Sequence, residues 1–436
     1  MKVTRTEIAP LVFLTCLTTD KFKTGCLRVS LLDQLTRENA AKNALIPYVL
    51  RRGSAQHPDM ESLAAALDEL YGARLESSVS RKGEIQLTGF VASFIDDAFA
   101  PGGESPLRSM AQLICELLLN PNTRGGLLLP QYVDSEREKL LDRIRGIVND
   151  KRAYSMHRLR ELMCFGEDYA VSPLGTEAGA ESIGYQKLTC RYRELLTSAP
   201  IEIIYCGAVQ PGRVEEIFTG LLETLPRSEE LPDMGTDIRL NTVEEAPRYY
   251  TEAMDVTQGK LAIGYRLGDY FEDAHLPAFH VFNALYGGSV NSKLFMNVRE
   301  KLSLCYFASS GLDCFKGVML ISSGIEFDKY QTALDEIFAQ LEAVKQGDFT
   351  DDELLAAQKS VSSDLRAAMD NPGALIDFWL GQSICGFDYG PEELAELLEA
   401  VKRDEVIAAA NSVQCDAVYF LKGTEKEDDP HAKDQL

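Results

Sequence analysis

Arg299 and Tyr306 lie seven residues apart in His275–Phe307, HLPAFHVFNALYGGSVNSKLFMNVREKLSLCYF. An apolar-periodic run through Phe279, Phe282, Leu285 and Tyr286 stops at Gly287-Gly288. A second run through Leu294, Phe295, Val298 and Leu302 gives way to Cys305-Tyr306-Phe307, a strand-like start. If Arg299 closes a helix and Tyr306 opens the next strand, both side chains reach one face. Guanidinium and phenol are hydrogen-bond donors, and such donors can hold a carbonyl as it gains negative charge. The plainer reading is a solvated arginine on an amphipathic helix and a tyrosine packed in a sheet.

Other catalytic chemistry finds little support. The five histidines are His57, His157, His275, His280 and His431. His275 and His280 are five apart, wrong for a shared helical face, and each histidine reads as surface or satisfied core. There is no GxSxG elbow, GxxxxGK[ST] loop or GxGxxG turn. Gly287 to Lys293 is glycine-rich but lacks phosphate-loop spacing, so it reads as a helix end and a new helix start capped by Ser289 or Asn291. Asp351 and Asp352 suit the dipole of a helix start.

The elements that position these residues belong to a long, acidic chain. At 436 residues two domains are expected, and 45% hydrophobic with 25% charged residues describes an ordinary globular protein. A net charge of -23 argues against nucleic acid and anionic membrane as partners. Ten cysteines without a CxxC pair fit buried thiols in a reducing, cytoplasmic setting; Cys16, Cys26, Cys115, Cys206 and Cys305 sit inside apolar runs. Ala9 to Leu17 is short for a signal peptide and carries Pro10, so it reads as a first strand. No apolar run reaches the ~18 residues of a membrane span.

The sequence also repeats. Gly25–Leu31 resembles Gly259–Tyr265 at an offset of 234, and Gly83–Leu87 pairs with Gly317–Ile321 at the same offset. Gly53-Ser54 matches Gly288-Ser289 at 235; Asn149-Asp150 and Asp168-Tyr169 match Met369-Asp370 and Asp388-Tyr389 at 220. Matches in one order imply a duplicated domain. The expected division is 1–225, a linker over 226–247, 248–424, and a charged tail over 425–436 that reads as disordered. Tyr132–Val148 and Asp351–Met369 read as exposed amphipathic helices. The fold class is α+β, each half a sheet with helices on one face.

Asn291-Ser292-Lys293-Leu294-Phe295, Arg299-Glu300-Lys301-Leu302 and Leu304-Cys305-Tyr306 resemble the C-terminal half of the M16 (insulinase, or mitochondrial-processing-peptidase-like) family. The resemblance runs from about Thr19 to Gly423. It implies two related LuxS/MPP-like metallohydrolase domains, with Arg299 and Tyr306 binding substrate backbone beside the scissile bond. Active members of that family carry His-x-x-Glu-His on a first-half helix, with a later glutamate as third zinc ligand. Here the matching positions are Ala44, Pro47 and Tyr48, and Arg143 in place of the third ligand; only Glu136, matching a supporting acidic residue, is kept. The resemblance therefore implies no zinc in this chain and no catalysis by it alone. It implies a non-catalytic subunit, with zinc on an M16 partner in a heterodimer (or a homodimer) that cleaves a peptide. The chain also resembles bacterial M16-like proteins named for association with elongation-factor-P 5-aminopentanol modification. Alternatives are a structural protein of the same fold, or a hydrolase with an unrecognised site.

Overall fold

In the computed structural model, residues 1–228, 230 and 232–424 are described. The expected tail 425–436 lies outside them. Among these residues the chain forms two compact units, each built on one mixed sheet.

The first unit comprises Met1–Gly146, Glu167–Asp237 and Arg366–Pro391. Its strands are β1 (Lys2–Ala9), β2 (Val12–Thr18), β3 (Thr24–Gln34), β4 (Arg74–Lys82) and β5 (Ile85–Ile95). A two-stranded ribbon, β6 (Thr123–Arg124) with β7 (Leu127–Leu128), follows, and then β8 (Ile201–Gly207). The large sheet runs β1-β2-β8-β3-β5-β4. The stretch read as one first strand is thus a hairpin: Pro10-Leu11 forms the turn and β2 carries the apolar run. One sheet face packs under the helices Ala40–Leu50, Pro106–Leu119 and Tyr185–Ser198, with Leu45, Phe90, Ile114, Leu188 and Tyr205 at the centre.

The second unit comprises Ile147–Gly166, Ile238–Leu365 and, among the described residues, 392–424. Its strands are β9 (Arg248–Met254), β10 (Gly259–Arg266), β11 (Cys305–Asp313), β12 (Val318–Ile325) and β13 (Gln414–Gly423), ordered β11-β12-β10-β13-β9. Ile263, Phe279, Phe282, Tyr286, Ile337 and Val418 centre its core.

The two sheets share one wiring. β2 is parallel to β8 as β9 is to β13, and the β8-β3-β5-β4 ladder is antiparallel as is β13-β10-β12-β11. The sequence repeats fall on equivalent strands, Gly25–Leu31 on β3 and Gly259–Tyr265 on β10.

The units differ from the contiguous ranges 1–225 and 248–424 by one segment exchanged in each direction. Helix Lys151–Met163 belongs to the second unit, where Ser155, Leu159 and Met163 are buried, and the Met163 sulfur lies where a Cβ on Gly264 would sit. Helix Pro372–Cys385 belongs to the first unit, where Leu375, Ile376 and Leu380 pack on Leu17, Cys26, Leu87 and Ile204 of the sheet face opposite the main core. These helices follow the matching dipeptides Asn149-Asp150 and Met369-Asp370, so the exchange is reciprocal between equivalent elements. A sheet has two apolar faces and local helices cover one; the second needs a helix from elsewhere.

Candidate functional site

The resemblance points to two places, one in each unit. In the first, helix Ala40–Leu50 runs beneath helix Pro130–Gly146, and apolar side chains set its pose: Ala44, Leu45 and Val49 are buried in the core. Pro47 sits inside the helix and its carbonyl accepts the Ser77 hydroxyl at 2.9 Å. Tyr48 is half-buried, and the Arg143 guanidinium lies 3.9 Å from its ring centroid, a cation–π contact. Glu136 is buried but engaged, at 2.7 Å from Lys139 and 3.2 Å from Arg52, which in turn lies over Tyr132.

A zinc ion needs lone-pair donors, at best anionic or imidazole. These positions offer a methyl, a ring without N–H, a phenol already under a guanidinium, and the guanidinium itself. The donor set does not fit zinc.

Helix Ala40–Leu50 also anchors a polar group that local sequence patterns do not reveal. Asn43 Nδ2 donates to Asp33 Oδ2 (2.7 Å) and Gln86 Oε1 (2.9 Å), while Asn43 Oδ1 accepts from Arg191 Nε (2.8 Å). Arg191 also pairs with Asp33. Buried polar atoms must find partners, and here each does.

The second place is the stretch singled out above. It forms helix Leu276–Asn283 and two π-helical segments, Ala284–Gly288 and Leu294–Lys301, the latter bearing Arg299. Wide i→i+5 bonds such as Leu302 N–H to Asn297 O (3.1 Å) mark it, a geometry frequent at functional sites. The expected caps differ: Ser289 Oγ donates back to Ala284 O, and it is Ser292 Oγ that accepts from Phe295 N–H. Leu294 and Val298 face the core, which turns Arg299 outward. Its guanidinium stacks over Phe295 at 4.6 Å and makes one long contact, 3.6 Å, with Glu300.

Tyr306 opens β11 as expected, but it is not packed in the sheet. The β11–β12 register slips between Cys305 and Phe307, so Tyr306 is the extra residue of a bulge. A bulge re-aims its side chain, and Tyr306 is 62% exposed, its hydroxyl 3.4 Å from Glu326. Both side chains therefore stand at the surface of the second unit on backbone held by the core.

Among the described histidines, His57 is 3.3 Å from Glu116, His157 3.3 Å from Glu161, His280 3.6 Å from the Cys314 sulfur, and His275 stacks on Tyr270 at 3.8 Å; His431 lies outside the described residues. Burial holds Cys16, Cys115 and Cys206 up at about 12, so these thiols are not thiolate nucleophiles.

With this geometry in hand, the relatives can be placed. Residues 182–361 match the family model described as "Peptidase M16 inactive domain". A Bacillus subtilis (strain 168) protein described as "Probable inactive metalloprotease YmfF" is 33% identical over 409 residues, 93% of this chain and 95% of that protein. The chain belongs to the M16 peptidase family. It is an inactive member of it. A Streptomyces coelicolor protein described as "Uncharacterized zinc protease SCO5738" is 23% identical over 358 residues, 78% of this chain and 75% of its own length. The crystal structure of a conserved protein from Enterococcus faecalis V583 superposes with a TM-score of 0.87 at 27% identity, covering 98% of this chain and 100% of that one. The α+β two-domain architecture is thus that of M16-like peptidases. No helix among the described residues of this M16 chain is long and apolar enough to cross a membrane.

Proposed function

We propose that this chain is the substrate-holding, non-catalytic subunit of a pair whose zinc-bearing M16 partner cuts a peptide. The observation that carries this is a contrast between the two places. At the metal positions the side chains are spent on one another, Arg143 on Tyr48 and Glu136 on Lys139 and Arg52. At the second place Arg299 and Tyr306 are presented to solvent with only long polar contacts, 3.6 and 3.4 Å. Ordinary packing gives no reason to aim a tyrosine outward on a bulge. Two donors on a rigid base suit a peptide carbonyl that gains charge as it is attacked. The shared wiring of the two sheets supports an origin by duplication, and the buried thiols suit a reducing compartment such as the cytoplasm.

Mixing the chain with a zinc-bearing M16 partner tests the proposal. Arg299→Ala is expected to leave the complex assembled and slow peptide turnover by about 100-fold or more, the usual effect of removing such a donor. Tyr306→Phe keeps the ring and loses only the hydroxyl, so its effect is smaller. Association is expected to be nearly unchanged, because one peripheral polar group seldom decides an interface. Wild-type turnover by both variants would make the pair structural and leave a scaffold protein of the M16 fold.

A further inference from the structure

We propose that Arg152 and Lys260, gathered around the Phe307 ring in the second unit, form a subsite for the side-chain carboxylate of an extended peptide segment. This deepens the peptide-holding role proposed above and rests on it. The cluster is built on one row across three strands. Lys260 of β10 and Phe307 of β11 both pair with Gly324 of β12 between them. A Cβ on Gly324 would lie 2.5 Å from the Phe307 ring, so the glycine lets that ring lie flat across the sheet toward Lys260. The Lys260 ammonium is 5.8 Å from the ring centroid and the Arg152 guanidinium 4.4 Å. Ser309, two residues along β11 on the same face, accepts from Arg152 at 2.9 Å, and Gln258 Oε1 accepts from Lys260.

Two cations share this ring in a chain of net charge -23, and among the described residues neither forms an ion pair. The carboxylate of Asp150 also acts on Lys260 through space, but its Oδ1 accepts the Arg152 and Ala153 backbone N–H groups at 3.0 Å as a helix cap, and it forms no ion pair with either cation. Burial, and then the neighbouring Arg152 charge, pull the Lys260 ammonium below its usual range against a smaller upward pull from Asp150. Each cation spends one donor on a neutral oxygen, leaving two on the lysine and four on the arginine. A carboxylate matches that fork and satisfies both charges. Polyanions such as nucleic acid are repelled by the acidic surface, whereas one acidic residue in an otherwise neutral segment is not.

The test uses the full-length chain alone, with two fluorescent, acetylated and amidated Ala/Gly-based decapeptides that differ in a central Glu-Glu or Gln-Gln. Anisotropy titration is expected to show the Glu-Glu peptide binding about fivefold tighter at low salt, the size of exposed ion pairs, with the preference fading at high salt. The Arg152→Gln/Lys260→Gln double variant is expected to erase the preference and leave Gln-Gln affinity unchanged; Arg299→Ala is expected to weaken both peptides alike. Equal wild-type affinity for the two peptides overturns the subsite while the peptide-holding role stands. Binding of neither overturns both. A preference that appears only with a free C-terminal carboxylate, or that inorganic phosphate abolishes at equal concentration, also overturns it, since a side-chain carboxylate is then not the ligand.

Discussion

The Arg143 guanidinium covers the Tyr48 ring at 3.9 Å, so at two of the positions that the family resemblance assigns to metal ligands a cation stands over a phenol. Restoring ligands one helix at a time leaves a cation over the site. The purified chain is expected to hold no stoichiometric zinc by elemental analysis. The triple variant Ala44→His, Pro47→Glu, Tyr48→His is expected to remain without it, because Arg143 repels the ion. Only adding Arg143→Glu completes a ligand set of the required chemistry. Tight zinc in the triple variant, at one ion per chain, would show that Arg143 swings clear and that the cation–π contact is incidental. Ala44 is the position most firmly closed: it is fully buried in the core, so a histidine there must displace neighbours.

Among elements, the exchanged helix Lys151–Met163 has the most demanding anchorage. Its C-terminal carbonyl at Met163 accepts from Arg248 Nη2 at 2.9 Å and from Arg266 Nη2 at 3.4 Å. Cations at a helix C-terminus complement its dipole. Both arginines are held by one buried acid: Asp416 Oδ1 lies 2.5 Å from Arg248 and Oδ2 2.9 Å from Arg266. Arg266 and Asp416 are almost wholly buried, so removing the acid leaves a cation in a poorly hydrated place. Asp416→Ala is expected to cost about 3–5 kcal/mol, read as a lower urea midpoint at constant slope. A change under about 1 kcal/mol would mean that water reaches the arginines. On the other exchanged helix, Asp377 stands 2.7 Å from Lys82 and 3.5 Å from Arg28. That acid is half exposed, and pairs of this kind are worth little; Leu375, Ile376 and Leu380 do the holding.

For the whole molecule, the connecting stretch is less free than its composition suggests. Arg227 donates to the carbonyls of Pro10, Leu196 and Ala199, and Gly235 N–H, Thr236 Oγ1 and Asp237 N–H bond to Gln34 or Glu84. At the far end Leu240 O accepts from Gly268 N–H. Limited proteolysis is therefore expected to cut first within 242–247 and around 230–234, not throughout 226–247. First cuts inside helix Pro130–Gly146 would show that the ties at Arg227 and Glu84 outlast that helix.

The sequence by itself determined what is local or periodic. Alternating apolar runs set the strands, and helices Pro130–Gly146 and Asp351–Ala368 fall within two residues of the ranges read from composition. Repeat offsets placed equivalent strands in the two sheets, and Ala44, Pro47, Tyr48 and Arg143, the positions that the family resemblance assigns to the metal site, carry side chains unsuited to holding zinc. Arg299 and Tyr306 were singled out by the family resemblance of their stretch, since spacing alone fits a solvated arginine and a packed tyrosine equally well. The outward aim of Tyr306 was not legible, because a bulge is a property of pairing between β11 and β12 and leaves no mark on one strand. Only the tertiary structure decided which sheet each of the matching helices Lys151–Met163 and Pro372–Cys385 covers: the first is rich in charged residues and the second largely apolar, yet each lies on the sheet of the other half of the chain, the first with Met163 fitted against Gly264 and the second with Leu375, Ile376 and Leu380 on the sheet face. The same holds for Asn43 with Asp33, Gln86 and Arg191, and for Arg152 with Lys260 and Phe307. Their members are up to 158 residues apart, and charge or hydrogen-bond complementarity acts through space, where sequence order carries no signal.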